Sequence, residues 1–376
     1  MLLRALSWPR VVAAIAPAMA VFAAAGNAGI VNPDISVIGQ PFASLTSDRL
    51  VAGRNRLRLD VGETEFVFDA ALNPYARGKF ILALSSEGFE LEEGFFSLVR
   101  GLPLDFALVG GRYRVGFGRL NLVHPHALAF AERFDVLAAY LPGEESLAET
   151  GVSLSRLVPL PGEFSLQISA DWLQGDSFRI AREPSSHPDD PITRGGDDAA
   201  GEARPAFATR ISGFGMVGER SGIEVGVSAL GGTNNVSAGT RTRVYGADAK
   251  AKLWTSSRAH LVVQAEALFL DREDAAWDPV SGFRSTRITP AGGYAFADYN
   301  WAARYNIGAA YEGFQRPSAG EEWDQSIGAF AGYSLLEETT AVRLDWRRIL
   351  PDAGDDFDRF TLRVIYSMGP HKVHVF

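Results

Sequence analysis

The chain has 376 residues, no cysteine and a formal net charge of −9. A negative balance without a basic cluster argues against nucleic acid as partner. With a mean hydropathy of zero, the region after residue 25 holds no run of the ~20 apolar residues a spanning helix needs. The 39 glycines, 24 phenylalanines and 10 tyrosines favour many strands and tight turns over a helical protein.

The start reads as a secretory signal peptide. Arg4 and Arg10 precede the apolar Val11–Ala25, which ends in three alanines, the basic, apolar and small-residue sequence of a cleaved leader. The domain expectation is a signal peptide over 1–25 and a barrel over 26–376. Cleavage after Ala28 and an N-terminal anchor helix are the alternatives. Absence of cysteine is compatible with export without proving it.

Asn32–Phe42 is a first candidate strand, followed by a polar stretch, Ser44–Asp60. From there alternation is dense. Phe66–Ala71 ends at the turn signal Asn73-Pro74. Tyr75–Leu84 places Phe80, Leu82 and Leu84 opposite Arg77 and Lys79. Phe89–Leu98 places Glu90 and Glu92 opposite Phe89, Leu91 and Phe95. Asp105–Phe117 sets Arg112 and Arg114 against Val109, Tyr113 and Val115. Arg119–Glu149 interrupts the pattern. Within it, Leu128, Ala131, Phe134, Leu137 and Leu141 recur at three- and four-residue spacing, so a short helix is expected over His126–Tyr140. Such a segment in a long connection suits a loop folded into a barrel lumen.

Alternation returns over Thr150–Val158, Phe164–Trp172, Phe207–Val217, Ile223–Leu230, Arg243–Trp254 and His260–Leu270. Thr286–Asp298 is expected to turn at Tyr299-Asn300 into Trp301–Glu312. Glu322–Leu335, Thr340–Ile349 and Phe357–Met368 complete the series. Strands of about ten residues, with connections alternately short and long, belong to transmembrane up-and-down barrels. The expected fold is all-β: a closed antiparallel barrel of about sixteen strands, with fourteen as the alternative. A soluble sandwich would need many long strands with protected edges, and closure removes edges altogether.

In a barrel this wide the polar face looks into water inside the wall. The expected lumen residues are Arg77, Lys79, Arg112, Arg114, Arg210, Lys250, Lys252, Arg304, Arg343, Arg347 and Arg363, with Glu90, Glu92, Asp171, Glu224, Asp248, Glu266, Glu312, Asp324 and Asp345. Pairs such as Arg112/Arg114 and Lys250/Lys252 could draw anions. The favoured reading is that opposite charges cross-link neighbouring strands. Constriction-loop candidates are His124, His126, Phe130, Glu132 and Arg133. His124 and His126 share a spacing that suits a metal. No third ligand is evident in the sequence, so no metal is expected there, nor at His371 and His374. The acidic runs Asp189-Asp190 and Asp197-Asp198 are expected to be solvated or paired with lipopolysaccharide-bound cations, with calcium binding as the alternative. No cofactor is expected. Neither G-x-S-x-G nor H-E-x-x-H occurs and no cysteine nucleophile exists, so no enzyme is expected. The segment before the dense strands is too short for the plug of an energised receptor.

Phe80–Leu84, Glu90–Phe96 and the run Gly111-Arg112-Tyr113-Arg114-Val115-Gly116-Phe117-Gly118-Arg119 resemble the early strands of the phosphate-selective-porin-like group, in which a G-[KR]-[FY]-x-x-x-F-G strand follows an acidic one. Leu120–Phe134 and the ending GPHKVHVF are similar to uncharacterised barrels of Gram-negative bacteria. The terminal Phe376 fits the aromatic ending of such barrels. The resemblance implies an outer-membrane channel for small hydrophilic solutes. Its implied partners are outer-membrane lipid and lipopolysaccharide, the barrel-assembly machinery and, for sixteen strands, a homotrimer. No arginine ladder is found, so no phosphate site is carried over. The competing reading is a non-transport barrel with a structural, adhesive or lipid-modifying role.

Overall fold

The computed structural model describes residues 33–369 except 87, 144–145, 183–191, 195–201, 279–281, 319, 321 and 337–339. The expected leader, the acidic pairs at 189–190 and 197–198, and the two C-terminal histidines lie outside the described residues.

Nineteen strand segments form one hydrogen-bonded antiparallel sheet. Three staves are each built from two segments, which leaves sixteen. Stave β1 joins Asp34–Gly39 to Phe42–Thr46, and β2 joins Arg58–Asp60 to Thr64–Ala71. Then follow β3 (Ala76–Ser85), β4 (Gly88–Leu98), β5 (Ala107–Arg114), β6 (Ala148–Leu160), β7 (Phe164–Leu173), β8 (Ala206–Val217) and β9 (Ser221–Asn235). The second half runs β10 (Thr240–Ser256), β11 (Ala259–Asp278), β12 (Gly282–Ile288 with Ala291–Trp301), β13 (Tyr305–Gln315), β14 (Trp323–Leu336), β15 (Thr340–Leu350) and β16 (Phe357–Met368). Each stave pairs with the next, and β1 pairs back onto β16, with Val37 opposite Met368 and Leu45 opposite Phe360. The sheet is therefore a closed barrel with no free edge. No edge is left to template aggregation, and every backbone ladder is satisfied inside the wall.

Alternation decides which face meets lipid. In β8, Phe207 and Ile211 are exposed while Ala208, Arg210 and Ser212 are buried. The same two-residue beat exposes Val225 and Val227 on β9 and Ile307 and Tyr311 on β13. An exposed apolar band on a closed barrel is a lipid-facing belt. Tyr299, Trp301, Tyr305 and Tyr333 stack in series at the short-turn end, with ring centroids 5.0–6.0 Å apart. They form an aromatic girdle where the belt meets water. Staves β10 and β11 have 17 and 20 residues. A crossing needs only ~9–11, so this side of the wall stands above the belt, and β11 runs on to Asp278, past Leu270 where the alternation was expected to end.

Three local expectations are corrected. The turn before β13 is Ala302–Arg304, not Tyr299-Asn300, because Ala302 and Ala303 adopt left-handed backbone at φ 54° and 56°. Trp301–Glu312 is thus the end of one stave and most of the next. Stave β2 begins inside the stretch expected to be a polar connection. In β4 the register slips by one residue opposite Ile81 and Leu82, leaving Glu92 as the extra residue. A bulge flips the faces beyond it, so Phe95 turns inward against the interior cluster while Phe96 meets lipid.

Candidate functional site

The connection from β5 to β6 enters the barrel. Gly118 permits the entry. Its φ is +56° and a Cβ there would strike the Glu266 carboxylate of β11, so glycine alone fits. Glu266 accepts the backbone N–H groups of Arg119 and Leu120 at 2.7 and 2.9 Å, and Ser228 of β9 accepts that of Gly118 at 3.1 Å. Arg119 pairs with Glu224 of β9.

The middle of the loop is extended because the wall captures its backbone. Asn306 donates to the Ala129 carbonyl at 3.2 Å and Arg343 to that of Leu128 at 3.4 Å. Asp345 accepts the Ala131 N–H at 3.3 Å. Arg347 donates to the carbonyls of Glu132 and Arg133. These bonds compete with helix formation, so the helix expected from His126 onward is confined to α1, Asp135–Tyr140, with isolated 3₁₀ turns at Leu120–Leu122 and Pro125–Ala127. Helix α1 is fixed by Glu312 of β13, which accepts the Val136 N–H at 2.7 Å, and by the Tyr140 hydroxyl, which donates to the Gln315 carbonyl at 2.9 Å.

The loop also docks by an apolar face. Phe130 lies edge-on to Phe296 of β12 and Phe330 of β14, and Phe134 stacks on Tyr294 at 4.2 Å. Val136, Leu137, Tyr140 and Leu141 extend this interior cluster. The lumen face of β12–β14 is thus apolar where the loop meets it. This was not legible as a core because it alternates with an equally apolar lipid face.

Across the barrel, His124 and His126 meet β2 and β4. His124 Nε2 donates to Glu93 at 2.8 Å, and its Nδ1 lies 3.3 Å from Glu65 and 3.4 Å from Glu92. His126 Nδ1 is 2.8 Å from Glu65. Burial opposes charge on His124, but Glu65, Glu92 and Glu93 outweigh it and hold the imidazole pKa up at about 10. Glu132 is the reverse case. Burial would raise its carboxyl, yet the Arg359 charge and the hydroxyl of Thr361 hold it below the usual range.

Most of the expected lumen charges are set in pairs. Arg77 meets Asp69 at 2.8 Å, Lys79 meets Glu93 at 3.6 Å and Arg112 meets Glu90 at 3.6 Å. Arg114 is buried between Glu92 and Glu93, Arg210 between Asp248 and Glu224, and Arg347 beside Asp345. Arg363 donates to Gln40, and Asp171 accepts from the Tyr113 hydroxyl. Asp324 pairs with Arg316 at the outer end. Lys250 and Lys252 share the lumen face of β10, with Lys252 over the Trp254 ring. Arg304 is the exception: it sits exposed in the turn after β12 and does not line the interior. Glu65 and Glu93 were missed. Glu65 lies in a short aromatic strand, and Glu93 is turned inward only by the bulge.

Among the described residues, recesses open on the long-loop side. One, of about 600 Å³, is lined by Glu63, Glu90, Glu92, Arg112, Arg114 and Arg363 among others. The second, of about 940 Å³, is lined by Arg49, Arg54, Asp135, Glu312, Arg316 and Asp324 among others.

No family model matches the chain. An uncharacterized protein of Aquifex aeolicus (strain VF5) is 29% identical over 338 residues, 83% of this chain and 69% of its own length. Solved structures share the architecture at low identity. The anion-selective porin from Comamonas acidovorans superposes with a TM-score of 0.59 at 11% identity, covering 89% of this chain and 99% of that one. OprB of Pseudomonas putida gives 0.57 at 9%, covering 90% and 94%. OmpF of Salmonella typhi, in complex with daunomycin, gives 0.56 at 13%, covering 90% and 98%. The fold of this chain is therefore that of the porin-like outer-membrane β-barrels.

Proposed function

We propose that the chain is a channel in the outer membrane of a Gram-negative bacterium, through which small hydrophilic solutes diffuse passively. One observation carries this reading: a closed barrel with a lipid-facing belt encloses a charged wall, and a loop from β5 spans that interior. The wall supplies water-compatible surface, and the loop sets the width. Because Arg114, Arg210 and Arg347 each stand against carboxylates, the passage is weakly selective rather than an anion filter.

Planar-bilayer recording tests it. Stable open steps are expected, and deletion of 120–139 should raise the conductance. An unchanged conductance in the deletion would remove the loop from the conducting path. A second reading is favoured by the aromatic packing of Phe130 and Phe134 inside the wall: a filled barrel with a structural, adhesive or lipid-modifying role. Electrical silence of a barrel that still migrates as a folded, heat-modifiable band would support it. The trimer, the surrounding lipopolysaccharide and delivery by the barrel-assembly machinery belong to the channel reading.

A further inference from the structure

Three polar atoms on the β2–β4 side of the loop face one another without a hydrogen bond. They are Nδ1 of His124, Oε2 of Glu65 and Oε2 of Glu92. His124 and Glu65 are nearly inaccessible, at 4% and 0%. A buried polar atom without a partner is costly, and three together need a common one.

Their spacing indicates what that partner is. Nδ1 lies 3.3 Å from the Glu65 oxygen and 3.4 Å from the Glu92 oxygen. Charge-assisted hydrogen bonds are shorter, at about 2.7–2.9 Å. Donors at adjacent corners of a tetrahedron with bonds of ~2.0–2.1 Å stand roughly 3.3–3.4 Å apart, which is the zinc geometry.

The other imidazole nitrogen supports the same answer. Nε2 is 2.8 Å from Glu93, and a carboxylate only accepts, so Nε2 carries the hydrogen. Without metal, the protonated ring sets its Nδ1 hydrogen between the two carboxylates, and a metal ion that takes the Nδ1 lone pair replaces that hydrogen there. A carboxylate on the far nitrogen of a ligating histidine is the usual support of a metal site. Glu93 is itself held by Lys79 at 3.6 Å and Arg114 at 3.4 Å. Glu65, His124 and His126 each offer a donor atom, and these atoms lie within 4.8 Å of one another, with Glu92 3.4 Å from Nδ1 of His124 as the further carboxylate. Glu63 and Glu92 also line the recess of about 600 Å³, which gives an ion a route in.

We infer that Glu65, His124 and His126, joined by Glu92 beside Nδ1 of His124, bind one divalent transition-metal ion of the zinc type, which fastens the inserted loop to staves β2 and β4. Imidazole with carboxylate oxygens suits zinc over calcium or magnesium, which take oxygen alone. On binding, the metal takes the Nδ1 lone pair and any proton there passes to solvent.

The test uses the folded barrel in detergent, stripped with EDTA, in a His371→Ala/His374→Ala background that removes the two C-terminal histidines. Zinc is added and the bound metal is counted by mass spectrometry. Affinity is read by calorimetry, and cobalt is substituted to read tetrahedral d–d absorption. One zinc per chain is expected, with a tetrahedral cobalt spectrum. His124→Ala should abolish binding, and Glu92→Gln should weaken it at least tenfold. Glu92 lines the recess, so that variant decides the matter if His124→Ala fails to fold. Less than a tenth of an equivalent on the folded parent would overturn the inference, as would affinity within twofold of parent in Glu92→Gln. The readout is metal content, so its outcome is separate from whether the barrel conducts.

Discussion

At the residue scale, two alanines are out of place. Ala302 and Ala303 hold left-handed backbone in the turn between β12 and β13, a conformation that costs an L-residue roughly 1–2 kcal/mol. Glycine has no such penalty. Ala303→Gly should therefore stabilise the barrel by about 1 kcal/mol, seen as a higher denaturant midpoint in detergent. A lowered midpoint would mean that the turn is held by something other than backbone conformation. The neighbouring Arg304 provides a control for the lumen. It is exposed in the turn, whereas Lys79 faces Glu93 inside. Charge reversal at Lys79 should shift the reversal potential in asymmetric KCl toward cation preference, and Arg304→Glu should leave it within a few millivolts of the parent. Equal shifts would refute the assignment of faces.

The element that matters most is the loop from β5, and its grip on the wall has a pH range. Burial raises Glu132, but Arg359 and Thr361 more than offset it and hold the carboxyl below its ordinary value. A depressed carboxylate contributes stability above its unfolded pKa of about 4.3, and that contribution is lost as pH falls through the lower folded value. Current fluctuations should thus increase as pH falls below about 4.3, toward the lower folded value at which this tie is protonated. Glu132→Gln should show the fluctuations already at pH 5 and little further change. A variant that stays as pH-sensitive as the parent would assign the effect to other carboxylates. The period-two alternation of β8, β9 and β13 was plain in the sequence because lipid and water impose opposite chemistry on successive residues. The loop was legible only as an interruption. Its helix was overestimated because Asn306, Arg343, Asp345 and Arg347, 177–215 residues away, take its backbone groups. No local spacing carries that information. The bulge at Glu92 was equally hidden, since one extra residue in an acidic strand leaves no compositional mark.

For the whole molecule, closure is the organising fact. Stave β1 meets β16, so the wall has no edge, and the sixteen staves match the sixteen alternating segments counted in the sequence rather than the alternative of fourteen. The charged side chains gather inside this wall in opposed sets, Arg114 with Glu92 and Glu93, and Arg210 with Asp248 and Glu224. Buried pairs of this kind cost much to break and little to keep. Arg210→Ala should therefore lower the unfolding midpoint by the equivalent of about 3–5 kcal/mol, while double replacement of Arg210 and Asp248 by apolar residues of similar size should recover most of it. A single variant as stable as the parent would show the pair to be hydrated.

The loop's partners also set an order of events. The segment follows β5, yet it is tied to Glu312, Arg347, Arg359 and Thr361 at sequence separations of 176–229 residues. Contacts so distant in the chain form late, because the intervening polymer must first be ordered. Docking must wait for the C-terminal staves, so the wall closes around a loop that is still undocked. Refolding should then show two phases, with the heat-resistant band appearing first and protection of the Arg133 site from trypsin appearing after it. The final maturation step belongs to the interior rather than to the wall.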